Sequence, residues 1–514
     1  MGLKSTLFIL FVFIVAHETN GANILSLFHT PSKSHSILGL KLAEGLVKKG
    51  HHVTFVSPFK FDPMENLTLV NLKAVLEHKE KSDKEMTKPG GPSIFSMVQN
   101  FLQSTSTVNE LFWNDPNIQK VIKEKPKYDL VIVLSFLHDA MLGIGHHLGA
   151  PTIVFNLVGS SSFWNQYVAN PTMVYSRNPL INVPTDKFWG RLSTVFGNMA
   201  MGYMSYQTNI LNQGLLDKYL PNSPQIYDLQ RNVSVVLANS HVSIEPARPY
   251  VPNMIQIGGF HVQNTKPLPD EFRTFLDGAE KGAILFSLGS NIKVGMLGEE
   301  RIKGMLKVLG EVSPMRVIFK TEMQHENVPK NIMVKSWVPQ ADILAHPNLK
   351  LFITHGGLGG VTESVYHGVP LLGIPFFGDQ ISNLDTAEES GYGLVMKLEK
   401  ITEEFFREKI SEILNNPKYT QNVKRRSALI KEPLVKQMDV AIFWIEHVIK
   451  FGGGSHLKND GADLSWYQLY MVDIYIFCTI VLILLAVINI YLVKFILKTV
   501  RRLLGKSAPK KKEE

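Results

Sequence analysis

The sequence predicts an α/β protein of two open parallel-sheet halves, followed by one C-terminal membrane-spanning helix. Three features carry this reading. Short apolar runs alternate with amphipathic stretches, once before residue 258 and again after residue 282. A turn holding Gly356, Gly357, Gly359 and Gly360 follows a buried apolar run. The segment from Ile474 to Val493 has only one strongly polar side chain, Asn489.

Composition narrows the class. At 514 residues the chain is too long for one ordinary core. Hydrophobic residues at 45% and charged residues at 19% argue for folded domains rather than disorder. The single cysteine, Cys478, excludes an intramolecular disulfide and a cysteine zinc site. Of the net charge of +8, most falls in residues 494–514, so the body is nearly neutral. With no basic stripe, a nucleic-acid partner is not expected.

The elements follow in order. Residues 1–22 read as a signal peptide: Lys4, an apolar run from Leu7 to Ala16, then Gly21 and Ala22. The competing reading, an N-terminal anchor, needs a longer run. Residues 23–257 read as the first domain. An apolar run from Asn23 to Phe28, a helix over Ile37 to Lys49 and a strand over His52 to Ser57 make a β-α-β unit. Further strands are expected at Leu130 to Leu134, Thr152 to Phe155 and Val233 to Ala238, with a helix from Asp139 to His147. Residues 160–228, rich in aromatics, Met and Asn, read as helices and loops covering a pocket.

The polar stretch 258–282 reads as the linker. Residues 283–450 read as the second domain. Its strands are expected at Ile284 to Ser287, Arg316 to Phe319, Met333 to Lys335, Leu351 to Thr354, Leu371 to Ile374 and Leu394 to Lys397, with amphipathic helices from Thr402 to Ile449. Residues 451–473 lead to the span at 474–493, which as a helix reaches about 30 Å. The basic tail 494–514 begins with Lys494 and Lys498, which puts this flank in the cytoplasm and the body in the lumen. Asn66 and Asn232 open glycosylation sequons. Lys511 and Lys512, third and fourth from the end, resemble a dilysine signal read by coat machinery for retrieval to the endoplasmic reticulum.

One ordered stretch, Trp337 to Gln380, carries the chemistry. A buried strand runs into the glycine turn and then a helix. Glycines let a ligand approach the backbone, and helix-start N–H groups attract phosphate. His355 sits at the strand exit, Trp337 offers a flat face to a ring, and Glu363, Asp379 and Gln380 offer partners for sugar hydroxyls. The set suits a base, a diphosphate and a sugar.

This stretch closely resembles the signature of the UDP-glycosyltransferases, and the likeness extends over nearly the whole chain, most of all to the animal membrane-bound branch. The resemblance implies the GT-B fold, two Rossmann-like domains facing a cleft. It also implies transfer of a sugar from a UDP-sugar to a small lipophilic acceptor. It assigns Trp337 to stacking on uracil, Gln340 to the base or ribose and Glu363 to the ribose hydroxyls. His355 and the turn at Gly357, Gly359 and Gly360 fall to the diphosphate, with Ser290 nearby, and Asp379 and Gln380 to the hexose. Many members carry Ser or Asn where this chain has Gly359 and Gly360.

His35, after Thr30 and at a helix start, matches the family's catalytic base, with His29 as its local competitor. His51, His52, His146 and His147 read as structural. The family places a carboxylate at the position of Leu134. Asp139, five residues on, reads either as its substitute or as a helix cap. No Asp-x-Asp triplet occurs, so neither a metal nor a cofactor beyond the UDP-sugar co-substrate is expected. No clearly placed arginine answers a uronate carboxylate, which inclines the donor to UDP-glucose over UDP-glucuronate. A second reading, a catalytically weak UDP-sugar or lipophile binder of the same fold, draws on Leu134. Oligomeric state stays open.

Overall fold

The structure is a computed structural model that describes residues 21–505 except 87–93, 136, 158, 160–161, 173–185, 263–264, 291 and 433. Most of the expected signal and the dilysine pair lie outside the described residues.

The first half is a seven-stranded parallel sheet: β1 (Asn23–Leu27), β2 (His52–Ser57), β3 (Leu67–Asn71), β4 (Leu130–Leu134), β5 (Thr152–Asn156), β6 (Val235–Ala238) and β7 (Met254–Gln256), in the order β3-β2-β1-β4-β5-β6-β7. β4 and β5 are buried at every residue. Helices cover both faces of such a sheet, which is why these strands read as unbroken apolar runs. β3 and β7 escaped the sequence reading because both are edge strands, one with polar Thr68 and Asn71, the other only three residues long.

The second half is a six-stranded parallel sheet: β8 (Ala283–Ser287), β9 (Arg316–Lys320), β10 (Ile332–Lys335), β11 (Leu349–Thr354), β12 (Leu371–Gly373) and β13 (Gly393–Val395), in the order β10-β9-β8-β11-β12-β13. In each sheet the order reverses once, between β1 and β4 and between β8 and β11. Loops leaving the carboxyl ends of strands at such a reversal form a crevice, and ligands bind there.

Two expected boundaries change. The stretch 258–282 is not all linker: Phe260 belongs to the core of the first sheet, while helix Asp270–Asp277 buries Phe272 and Leu276 in the core of the second. Helix Gln437–Phe451, expected within 283–450, packs on the first half instead. Its buried face of Ala441, Ile442, Ile445 and Val448 joins Leu38, Leu42, Leu46 and Phe55. Glu446 Oε1 meets His51 Nε2 at 3.2 Å. Amphipathicity foretells burial, not the surface that receives it.

Helix Phe188–Tyr219 fills much of 160–228. Its inner face carries Thr194, Ser205, Asn209 and Asn212, whereas Phe196, Met199, Tyr203 and Ile210 are exposed. A polar buried face is the reason no clean apolar period is visible there.

Residues 460–505 form a separate unit. Helix Val472–Gly505 has a stretch, Val472–Leu504, long and apolar enough to cross a membrane. The helix continues past the expected end at Val493 and carries Lys494, Lys498, Arg501 and Arg502.

Ile445→Ala deletes a fully buried side chain that joins the returning helix to the first half. We expect a cost of about 2–5 kcal/mol, read as a lowered thermal-unfolding midpoint. An unchanged midpoint would show that this helix contributes no packing energy.

Candidate active site

The second reversal point builds one wall. β11 ends at Thr354, opposite Ser287 of β8. His355 follows, then the glycine turn, then helix Leu358–His367 with Gly357 as its N-cap and no side chain closing it. The His355 ring lies against two glycines: a Cβ on Gly289 or Gly357 would fall 2.6 Å from ring atoms. Gly289 also has φ +77°, which suits glycine. A Cβ on Gly359 would meet nothing within 4 Å, so this edge of the helix start is open. Burial, helped by Lys320, pushes His355 down to about 4. It is therefore neutral near pH 7 and acts as a hydrogen-bonding group rather than a cation. Its Nδ1 is buried without a partner among the described residues.

Beside this turn runs a chain of three side chains. Ser287 Oγ donates to Gln340 Oε1 at 3.0 Å, and Gln340 Nε2 donates to Glu363 Oε2 at 2.7 Å. Burial pushes Glu363 up to about 7, with Asp342 adding to the rise and the Gln340 bond opposing it. Trp337 is 54% exposed and presents its ring to the cleft. Gln380 Oε1 accepts from the backbone N–H groups of Phe376 and Phe377 at 2.9 and 3.2 Å. Asp379 Oδ2 accepts from Asn383 Nδ2 at 2.8 Å. Ser290 lies next to Gly289, whose carbonyl accepts from Lys320 Nζ at 2.6 Å.

The first reversal point builds the facing wall. After β1 come His29, Thr30 and the helix Lys33–Lys48, which places His35 in its first turn. His35 is half-buried, and its Nδ1 pairs with Thr30 Oγ1 at 2.8 Å. Burial lowers its pKa to about 4. His29 is wholly buried, with neither ring nitrogen partnered among the described residues. It packs edge-on against His138, ring centres 4.3 Å apart, and His138 Nδ1 meets Asn109 Oδ1 at 2.5 Å. A ring so enclosed has no edge to offer an acceptor hydroxyl.

Leu134 is fully buried in the apolar core shared with Leu38 and Leu42. Asp139 opens a short 3-10 turn but does not cap it through its side chain. Oδ1 accepts from Ser135 Oγ at 3.0 Å, and Oδ2 accepts from Tyr167 OH at 2.8 Å and Gln230 Nε2 at 2.6 Å. Burial raises its pKa against the pull of these three donors. The bonds that hold Asp139 thus come from Ser135, Tyr167 and Gln230, and the group at His35 Nδ1 is Thr30. Neither expected role for Asp139, orienting carboxylate or cap, matches these bonds. Sequence reasoning also missed Ser287 and Lys320. Each is the polar residue at the carboxyl end of a strand with an apolar middle, and that placement was the available signal.

Comparison with known proteins agrees with this architecture. The family described as UDP-glucoronosyl and UDP-glucosyl transferase matches residues 32–511. UDP-glycosyltransferase UGT5 of Dactylopius coccus is 32% identical over 93% of this chain and 92% of its own length. UDP-glucuronosyltransferase 1A10 of Homo sapiens is 28% identical over 89% of this chain and 88% of its own. A solved UDP-glucose: anthocyanidin 3-O-glucosyltransferase in complex with UDP has TM-score 0.56 and 16% identity, covering 84% of this chain and 99% of that one. That likeness concerns the fold, GT-B with two Rossmann-like sheets. Since family and relatives alike cover nearly its full length, the chain belongs to the UDP-glucuronosyl and UDP-glucosyl transferase family.

Proposed function

We propose that this protein is an inverting, metal-independent transferase that moves glucose from UDP-glucose to a hydroxyl of a small lipophilic acceptor. The observation that carries the reading is the pairing of two sites across one cleft: an open helix start beside Trp337, Gln340 and Glu363, and a neutral His35 on the opposite wall.

The chemistry follows from the residues. Trp337 stacks the base, and Glu363 accepts from the ribose hydroxyls. The N–H groups after Gly357, with His355 and Ser290, receive the diphosphate, while Asp379 and Gln380 take hexose hydroxyls. With His35 Nδ1–H donating to Thr30 Oγ1, the Nε2 lone pair accepts the acceptor's hydroxyl proton. The oxygen then attacks the anomeric carbon while its bond to UDP breaks on the opposite face. Negative charge grows on the departing diphosphate, where the helix dipole and the N–H groups stabilise it. This positive potential supports a reaction without a metal. We place the body in the endoplasmic reticulum lumen, glycosylated at Asn66 and Asn232, anchored by the C-terminal helix and retrieved through the dilysine end.

The direct test is a donor panel with a generic phenol, read by product mass. UDP-glucose should give the hexoside in excess over UDP-glucuronate. Donor binding without product from any UDP-sugar would instead support the weak-binder reading that the buried Leu134 suggests.

Glu363 generates a pH prediction. Its raised pKa means that the carboxylate fills as pH rises through about 7, so affinity for uridine should climb across that range and level off above it. Glu363→Gln should flatten the climb and weaken binding by about 1.5–3 kcal/mol, the worth of a hydrogen bond to a charged group. A wild-type affinity independent of pH would contradict the role.

His35→Ala should lower kcat by roughly 10²–10⁴ and leave UDP affinity intact. Asp139→Asn should act differently. It presents an amide to the donors Tyr167 and Gln230, so it should lower thermal stability with a smaller loss of kcat. A full loss of kcat at unchanged stability would make Asp139 the partner of His35 after all.

A further inference from the structure

Lys33 begins the helix that carries His35, and the first turn holds no acidic residue. A cation there opposes the helix dipole, which favours negative charge. The side chain instead crosses the cleft: its Nζ lies 4.3 Å from the centre of the Trp337 ring. Lys320, the last residue of β9, brings a second ammonium 5.5 Å from the same ring while bonding the carbonyl of Gly289.

Neither cation forms an ion pair among the described residues. The neighbouring Lys293 is taken by both carboxylate oxygens of Glu322, each at 2.7 Å. Among the described residues no carboxylate lies within ion-pair distance of Lys33 or Lys320. Lys320 has its pKa lowered first by burial, then by Lys293 and Lys33, with Glu322 opposing. Two like charges converging at a partly buried place repel, and an anion between them reverses the sign. The place is the gap between the Trp337 ring and the loop at Gly289, where a nucleotide's phosphates follow its base.

We propose that Lys33 is a donor-binding residue supplied by the first half of the fold: with Lys320 it takes the charge of the donor diphosphate and leaves the Trp337 face to the base. This rests on the donor-site reading above and extends it. Because Lys33 and His35 share one helical turn, the phosphates that hold Lys33 also fix the approach of His35 to the sugar. Donor binding thereby sets the position of the acceptor's base.

The test compares UDP, UMP and uridine binding to the full-length protein in detergent by titration calorimetry, for wild type, Lys33→Met and Lys33→Arg. Lys33→Met should weaken UDP about tenfold or more, the scale of one charge-assisted hydrogen bond. UMP should weaken less. Uridine should bind as in wild type or tighter, which also certifies the fold. Lys33→Arg should keep most of the UDP affinity, and the salt dependence of UDP binding should be shallower in Lys33→Met. Equal or tighter UDP binding by Lys33→Met would overturn the proposal and leave Lys33 a mere cover on the ring. Equal losses for UDP and uridine would overturn it too, pointing to a structural role. A wild type that binds none of the three overturns the donor-site reading itself.

Discussion

The constraint on which the molecule depends is the reversal of strand order in each parallel sheet. At β1/β4 and at β8/β11 the chain leaves adjacent strands in opposite directions, and the loops part. His35 and Thr30 come from one such gap, and His355 and the glycine turn from the other. Burial lowers both histidines, His35 and His355, to about 4, so both rings are neutral near pH 7. In a more hydrated setting either ring would carry charge for part of the time near pH 6.5.

The legible parts of the sequence were those where local pattern and global position agree. The run Leu130–Leu134 reads as a strand because a strand covered on both faces needs no polar side, and the structure bounds it at those same residues. The glycine turn reads as a binding corner because strand, glycines and helix start are contiguous. Contacts between distant segments were not legible. The bonds from Ser287 to Gln340 and from Gln340 to Glu363 span 53 and 23 residues, and nothing local in any of the three announces the others. The receiving surface of helix Gln437–Phe451 was hidden for the same reason, since its apolar stripe is equally suited to either half.

Asp139 shows how a polar residue at a suggestive position is claimed by its own surroundings. Ser135, Tyr167 and Gln230 converge on it, and Gln230 passes the network on to Asn209 of the long helix at 3.0 Å. A buried carboxylate with three donors is satisfied, and pulling it towards another ring would leave those donors bare. The network holds the loop after β4 against helix Phe188–Tyr219. The apolar Leu134 brings no carboxylate to His35, whose Nδ1 pairs with Thr30.

The chain passes between the two halves twice. It leaves the first near residue 262 and returns as helix Gln437–Phe451, after which Asn459 bonds the carbonyl of Ala169 at 3.3 Å. Two crossings are a different mechanical object from one. The two crossings lie side by side, since a Cβ on Gly259 would fall 2.8 Å from Ile430, and a pair of adjacent chain segments resists twisting more than a single tether does. The doubled connection therefore favours one mutual register of the halves, the one in which Lys33 Nζ sits 4.3 Å from the centre of the Trp337 ring.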